Sequence, residues 1–132
     1  MRYICLGYMD EKFMENMSES EQHTFVDECF AYDDILRKKG YFVGGEGLQA
    51  SQNAATLRWK KDKVSITDGP FTETKEQLGG IMILEARDLN HAIQLMSEHP
   101  SLRLGKGAWE IRPADDMSGV VAESESRRAQ SG

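Results

Sequence analysis

A predicted β-hairpin is joined to a predicted buried strand by one run of this sequence, Thr67-Asp68-Gly69-Pro70-Phe71-Thr72-Glu73-Thr74-Lys75-Glu76-Gln77-Leu78-Gly79-Gly80. Before it, residues 55–60 and 63–67 alternate apolar and polar side chains around Lys61-Asp62, which predicts a β-hairpin. Asp68-Gly69-Pro70 ends that hairpin, because proline withdraws a ladder donor and glycine permits a positive φ. After it, residues 79–85 form an apolar run that predicts a buried strand.

Outside this run, strands and helices alternate along the chain. Residues 2–8 predict a central strand, since both alternating sets of side chains are apolar. A helix follows Ser18, because Ser18 and Glu21 have the spacing of a capping box, and Lys38-Lys39-Gly40 ends it. A second strand runs from residue 41 into Gly44-Gly45-Glu46-Gly47, where the glycines predict a bulge or a close backbone approach.

The later part of the chain repeats this order. Asp88 predicts the N-cap of a second helix that stops before Pro100, and residues 108–112 predict the last strand. The complete order is that of an α+β, ferredoxin-like split βαβ domain with an added β-hairpin. Two helices cover one face of such a sheet. We therefore expect the other apolar face, including Trp59 or Trp109, to pack sheet to sheet in a homodimer.

The composition narrows the class of protein. The chain has 132 residues, a formal charge of −6 and a pI near 5.1, which fits one domain and argues against a nucleic-acid or anionic-membrane surface. We expect a cytoplasmic protein, because the apolar start is too short for a signal sequence or a membrane span. Cys5 and Cys29 lie within apolar patterns and predict buried free thiols. The domain is predicted over residues 1–113, with a polar tail at 114–132 that does not order by itself.

Asp68 is the candidate catalytic residue and has two interpretations. In the structural one, its carboxylate accepts backbone N–H groups in an Asx-turn. In the functional one, it lies at a strand end beside a cleft, where an acid acts as a general base or binds a ligand. Phe71 is interpreted as a loop anchor in the core or as a stacking platform.

The other ligand-binding candidates are charged. Glu46 lies between glycines that give it no side-chain cover, so its loop can bring backbone N–H groups to a ligand. Glu73 and Lys75 belong either to a site or to a solvated loop. Glu110 and Arg112 project to one face of the last strand, as a charge pair in a cleft or towards solvent.

The sequence predicts no metal site and no cofactor. His23, His91 and His99 have no neighbouring ligand at the spacing of a zinc site. The glycine-rich segments lack the following helix and the lysine of a phosphate loop.

The chain resembles a known family in three places, namely Gly45-Glu46-Gly47-Leu48, the central run from Asp68 to Gly80, and Glu110-Ile111-Arg112-Pro113. It is similar to the DGPF-domain, YCII-related proteins of the dimeric α+β barrel superfamily. That resemblance implies a homodimer that encloses a cleft for a small molecule, in a family whose activity is largely unassigned. Some relatives are associated with extracytoplasmic-function sigma factors. YCII proteins also resemble enzymes through a His–Asp pair with the histidine on the first helix, where this chain has Cys29 and has His23 nearer the helix start.

Three functions are open from the sequence. The first is a small enzyme that uses acid/base chemistry in the dimer cleft, for which Glu46 and Asp68 must lie together. The second is a regulatory or interaction module that acts with a sigma factor. The third is a homodimer without chemistry, in which Asp68-Gly69-Pro70-Phe71 only shapes a turn.

Overall fold

The computed structural model describes residues 1–131, and within them it has six strands, five helices and one 3-10 turn at Ser51–Asn53. The strands are β1 (Arg2–Asp10), β2 (Phe42–Gly47), β3 (Ala55–Lys60), β4 (Lys63–Asp68), β5 (Glu76–Glu85) and β6 (Ala108–Pro113). The helices are α1 (Glu11–Glu15), α2 (Glu19–Lys38), α3 (Leu89–Ser97), α4 (Pro100–Leu104) and α5 (Ser118–Ser131). None of the helices in this range has both the length and the apolar character that crossing a membrane requires.

Four strands form one antiparallel sheet in the order β2-β5-β1-β6, and β3 pairs with β4 in a separate hairpin. The connection through α2 leads from β1 to β2, and the connection through α3 and α4 leads from β5 to β6. This is the predicted α+β, ferredoxin-like arrangement with an added hairpin. Lys61 and Asp62 form the hairpin turn, both at positive φ (50° and 63°).

The predicted helix ends are confirmed. Ser18 and Glu21 make the reciprocal bonds of a capping box at the start of α2, and Gly40 follows that helix with φ of +82°. The Asp88 carboxylate caps α3 by accepting the His91 backbone N–H at 2.8 Å. These local signals are strong because each satisfies backbone groups that a helix end leaves unpaired.

Alternation along the strands gives the sheet a helix-side face, whose side chains are buried, and an opposite face, the open face, whose side chains are only partly buried. The core lies on the helix side, where the buried side chains include Tyr3, Cys5, Leu36, Met82, Leu84 and Met96. The open face carries the partly buried side chains of Ile4, Leu6, Tyr8, Ile81 and Ile83. Trp109 pairs in register with Gly7 on the helix side, so the expectation that it belongs to the open face is wrong. Trp59 lies in the hairpin.

Three short or isolated helices were not predicted. Each of α1 and α4 has five residues, which is too short to show a helical period in the sequence. The segment predicted as a tail contains α5, a helix without a buried residue. Because α5 adds nothing to the core, the division of the chain after residue 113 stays a prediction.

The two thiols are free and buried, as predicted. Burial raises the pKa of Cys5 from 9.0 to about 11. Burial, followed by the negative charges of Asp33 and Glu28, raises the pKa of Cys29 from 9.0 to about 11. A thiol whose pKa is higher in the folded chain stabilises that chain fully below the unfolded pKa, and this contribution is lost as the pH rises through the folded pKa.

We therefore expect the free energy of unfolding to fall as the pH rises from 9 to about 11. Urea denaturation followed by far-ultraviolet circular dichroism across this window measures the fall. The variant Cys5→Ala/Cys29→Ala is the control, because lysines and tyrosines titrate in the same window. An equally steep fall in that variant would contradict the assignment to the thiols.

Candidate functional site

A groove of about 520 Å³ lies between α2 and the helix-side face of the sheet. Its floor is made of glycines, since Gly45 and Gly47 of β2 and Gly80 of β5 line it. The register places Gly47 beside Gly80 and Gly80 beside Gly7 of β1, so three adjacent strands lack a side chain at one level. The Trp109 ring lies over Gly7, whereas the space over Gly47 is open, since a Cβ there would meet no atom within 4 Å.

The walls of the groove combine aromatic and charged side chains. The lining side chains include Phe30, Asp33, Asp34, Arg37, Phe42, Met82, His99 and Trp109. Arg37 holds its guanidinium 4.4 Å from the centroid of the Phe42 ring and also pairs with Asp34. Phe30 is 65% exposed although it is a large apolar residue of α2. An exposed aromatic side chain beside a glycine floor gives a ligand two flat surfaces to contact.

A buried histidine and a carboxylate meet at the groove. His99 Nε2 lies 3.2 Å from Asp33 Oδ1, and the two side chains are 5% and 19% exposed. The His99 ring makes edge contacts with Tyr32 and Trp109, at centroid distances of 5.7 Å and 5.1 Å. Packing therefore fixes the orientation of the imidazole.

Hydrogen bonds define which nitrogen of His99 carries the proton. The Ser101 backbone N–H donates to His99 Nδ1 at 3.2 Å, and the Ser101 hydroxyl lies 2.8 Å from the same nitrogen. Because a backbone N–H can only donate, Nδ1 is an acceptor and the proton is on Nε2, directed at Asp33. Trp109 Nε1–H completes the chain by donating to Ser101 Oγ at 2.8 Å. Three side chains, Trp109, Ser101 and His99, thus donate in one direction, and the Asp33 carboxylate accepts at the end of the chain.

This arrangement of hydrogen bonds leaves one polar atom of the His99–Asp33 pair available to a ligand. Both nitrogens of His99 are engaged, and within residues 1–131 the only hydrogen bond to the Asp33 side chain is the one to Oδ1. The second carboxylate oxygen, Oδ2, is therefore the atom that can meet a molecule in the groove. The charge of Asp33 also acts on Tyr32. Burial is the largest cause of the raised pKa of Tyr32, and the negative charges of Glu98 and Asp33 add to it.

Cys29 lines a smaller cavity of about 140 Å³ that also includes His99 and Trp109. Its raised pKa of about 11 keeps the thiol protonated at neutral pH. Since the thiolate is the nucleophilic form, Cys29 is not an activated nucleophile.

The structure does not bring Asp68 and Glu46 together. Glu46 lines the groove. Alternation along β2 directs its carboxylate to the open face, so the groove meets its backbone. Asp68 lies with Glu73 at a separate shallow cavity beside the hairpin. A site that contains both Glu46 and Asp68 is therefore not formed within the chain, and catalysis by Asp68 stays a prediction.

Two structural interpretations of the central motif are wrong. Among the described residues, no hydrogen bond reaches the Asp68 carboxylate, so it does not form an Asx-turn. The turn is held by the backbone instead, because Gly69 has φ of +105° and donates its N–H to the Ala54 carbonyl at 2.7 Å. Phe71 is 71% exposed and lies under the Arg58 guanidinium at 4.5 Å, so it is not a core anchor.

The remaining candidates lie away from the groove. Lys75 Nζ pairs with Asp10 across 3.8 Å. Arg112 Nε donates to Glu110 Oε2 at 2.7 Å, and this bond raises the pKa of Arg112. The register places both residues of that pair on the open face, opposite Ile4 and Leu6. Over residues 1–131, no group of three His, Cys, Asp or Glu side chains is arranged to hold a metal ion.

Comparison with known proteins shows which family the chain belongs to. The family model described as the YCII-related domain matches residues 1–118. The chain belongs to the YCII-related family. This confirms what the central run predicted. The YCII-related chain is 29% identical over 113 residues to the uncharacterised protein R00369 of Rhizobium meliloti (strain 1021), covering 86% of this chain and 91% of that one.

One solved structure is also similar to this YCII-related chain. It is 5-chloro-2-hydroxyhydroquinone dehydrochlorinase (TftG) from Burkholderia phenoliruptrix AC1100, in complex with 2,5-dihydroxybenzoquinone. The TM-score is 0.46 and the sequence identity is 17%, and the match covers 87% of this chain and 94% of that chain.

The His–Asp pair was missed at the sequence level. The resemblance to YCII-related proteins implied a histidine on the first helix predicted from the sequence, which is α2 in the structure. Here α2 supplies the aspartate, Asp33, and the histidine is the N-cap of α4. The two residues are 66 positions apart, so no local spacing joins them. The one available signal was His99-Pro100, since a polar residue before proline often begins a helix.

Proposed function

We propose that the helix-side groove binds a small molecule and that Asp33 accepts a proton from it. The observation that supports this proposal is the His99–Asp33 pair at the groove, in which His99 holds one carboxylate oxygen and no hydrogen bond within residues 1–131 reaches the other. A fixed carboxylate of this kind matches the geometry of a general base. His99 supports it as a positioned donor, because its own acceptor nitrogen is engaged by Ser101.

The lining also indicates the class of ligand. Asp33 and Asp34 face a single cation, Arg37, which is already paired with Asp34. An anion would therefore meet net negative charge, whereas an uncharged or cationic molecule with a hydroxyl or amine donor would complement Asp33. The glycine floor and the exposed Phe30 favour a flat molecule. We propose a flat, uncharged or cationic ligand with an ionisable donor.

A thermal-shift screen of such molecules tests this proposal, with Gly47→Val as the variant. A Cβ at Gly47 meets no atom within 4 Å, so valine should fill the groove without strain. A ligand at about one hundred times its Kd stabilises the wild type by about 2.7 kcal/mol. We expect Gly47→Val to weaken its affinity at least about tenfold, a loss of roughly 1.4 kcal/mol.

Gly44→Val is the matched control for that screen. Gly44 belongs to the same strand and is equally unobstructed, but its register opposite Ile83 places a side chain on the open face. We expect this variant to keep the ligand-induced shift. A ligand that stabilises Gly47→Val as much as the wild type would rule out the groove as its site.

We also propose a homodimer that forms sheet to sheet through the open face. The supporting observation is the row of apolar side chains there, including Ile4, Leu6 and Ile83, which no helix of the described chain covers. In such a dimer each copy keeps its own groove, because the groove lies on the opposite face of the sheet. Association with a sigma factor and location in the cytoplasm stay predictions.

A further inference from the structure

The hairpin of β3 and β4 has one apolar face that is open to solvent. Leu57 pairs with Ile66 across the strands, and Trp59 pairs with Val64. These four side chains are 64%, 69%, 70% and 52% exposed, respectively. Single exposed apolar residues are normal, but a contiguous row of this kind marks a surface that another molecule covers.

The hairpin has little support from the rest of the chain. Its two strands form a sheet of their own, without hydrogen bonds to the four-stranded sheet. Near its base, Gly69 N–H donates to the Ala54 carbonyl, and the Thr56 hydroxyl donates to the Gly69 carbonyl at 3.0 Å. An isolated two-stranded hairpin is only marginally stable in water, so cover on its apolar face would stabilise it.

The apolar face of the hairpin is continuous with the open face of the sheet. A cavity of about 720 Å³ is lined by Leu57 from the hairpin and by Tyr8 and Leu78 from the sheet. Tyr8 and Leu78 are paired in register on the open face. The hairpin and the sheet therefore bound one concave apolar surface, and an occupant of one part would also contact the other.

The charge of the hairpin points to the identity of that occupant. Residues 58–63 contain four cations and one acid, a net charge of +3. Since the whole chain has a formal charge of −6, the other residues together carry −9. A second copy of this chain thus carries net negative charge outside its hairpin, which attracts a basic hairpin during association.

We infer that the hairpin is an arm that clasps a second copy of this chain. The inference rests on the homodimer proposed above and names the element that closes it. The side chains of the open face are already partly buried, so this face alone offers little accessible surface. A stable interface buries about 800 Å² of accessible surface on each partner. The arm supplies the most exposed apolar area. Because both copies carry an arm and an open face, two reciprocal clasps close a two-fold dimer.

Sedimentation velocity of the full chain over a range of concentrations tests the arm. We expect a wild-type dimer, and a dissociation constant at least about a hundredfold higher for Trp59→Ser/Val64→Ser, since two apolar side chains per arm lose their cover. The control Leu89→Ser/Ile93→Ser removes exposed apolar side chains from α3, and we expect its dissociation constant to be unchanged.

A second variant keeps the four apolar side chains of the hairpin. It changes only exposed residues, so we expect it to fold like the wild type. Lys60→Glu/Lys63→Glu reverses the charge at the exposed hairpin tip. We expect its dimer to be about tenfold weaker at low salt and closer to the wild type at high salt. Hydrogen exchange should also show hairpin amides that become protected as the wild type dimerises.

The outcomes separate the arm from the homodimer itself. A wild type that stays monomeric at its highest soluble concentration would overturn both. A dimer that Ile83→Asp dissociates, while the hairpin variants and hairpin exchange leave it unchanged, would overturn the arm and leave the sheet-to-sheet dimer standing. If the α3 control dissociates the dimer as strongly as Trp59→Ser/Val64→Ser, the arm is also overturned.

Discussion

Replacing Asp33 by asparagine is expected to lower the turnover of a substrate of the groove by about 10²- to 10⁴-fold, the usual contribution of a general base. Asparagine has the same shape, and its Oδ1 still accepts the bond that His99 Nε2–H donates to Asp33. What it lacks is the ability to take a proton at neutral pH. The expected result is therefore a fall in kcat with little change in KM, measured with the first ligand from the thermal-shift screen that is turned over.

The matched control for this prediction is Asp27→Asn, which removes an exposed carboxylate from the same helix outside the groove. It should keep full activity. If Asp33→Asn retains kcat, Asp33 is not the base, and the pair with His99 is a structural one.

Asp33→Asn also has a readout that needs no substrate. Because the charge of Asp33 contributes to the raised pKa of Cys29, the variant should have a lower Cys29 pKa. The rate of thiol alkylation as a function of pH measures this shift, in a Cys5→Ala background that leaves one thiol. An unchanged Cys29 pKa would mean that the Asp33 side chain is not ionised beside it.

Gly7→Val is expected to destabilise the folded chain by about 2 to 3 kcal/mol, near the upper range for a side chain forced into a packed interior. A Cβ on Gly7 would lie 2.9 Å from two atoms of the Trp109 ring, closer than carbon atoms approach. Trp109 must move, and its bond to Ser101 Oγ is then lost. We expect a lower free energy of unfolding in urea, together with reduced ligand binding as His99 loses its packing.

Gly44→Val is the control for the stability measurement. Its added side chain meets no atom of its own chain within 4 Å, and valine favours a strand, so the stability of the single chain should be unchanged or higher. If Gly7→Val is as stable as Gly44→Val, Trp109 is not tightly held and the hydrogen-bond chain to Asp33 is weaker than the distances indicate.

Most of the fold could be predicted because its signals are local. The capping box at Ser18 and Glu21, the Asp88 cap and the alternation in the hairpin each act over a few residues. The face on which Trp109 lies could not be predicted, since it depends on the pairing of β6 with β1. The short α4 was missed for a related reason, because its N-cap His99 is recognisable only when its side chain is seen to accept the Ser101 N–H.

The candidate site was predicted less well than the fold. The Asp68-Gly69-Pro70-Phe71 motif lies away from the groove, and Gly45 and Gly47 predicted only a bulge or a loop that approaches a ligand. They form the floor of the groove, and that role depends on Gly80 from another strand. Asp33 carried no signal of its own, because one acid among several on an amphipathic helix is ordinarily a solvated residue.

The histidine that caps α4 has a consequence for the route of a proton. The Nδ1 atom of His99 is occupied by the backbone N–H of Ser101, a bond that also holds the first turn of α4. The imidazole is thus not a proton relay through Nδ1, and we expect a proton on Asp33 to leave through the groove that this side chain lines. With Asp33 as the proposed base, we expect a tautomerisation, in which one atom of the substrate loses hydrogen and another regains it. In heavy water, part of the original hydrogen would then remain in the product.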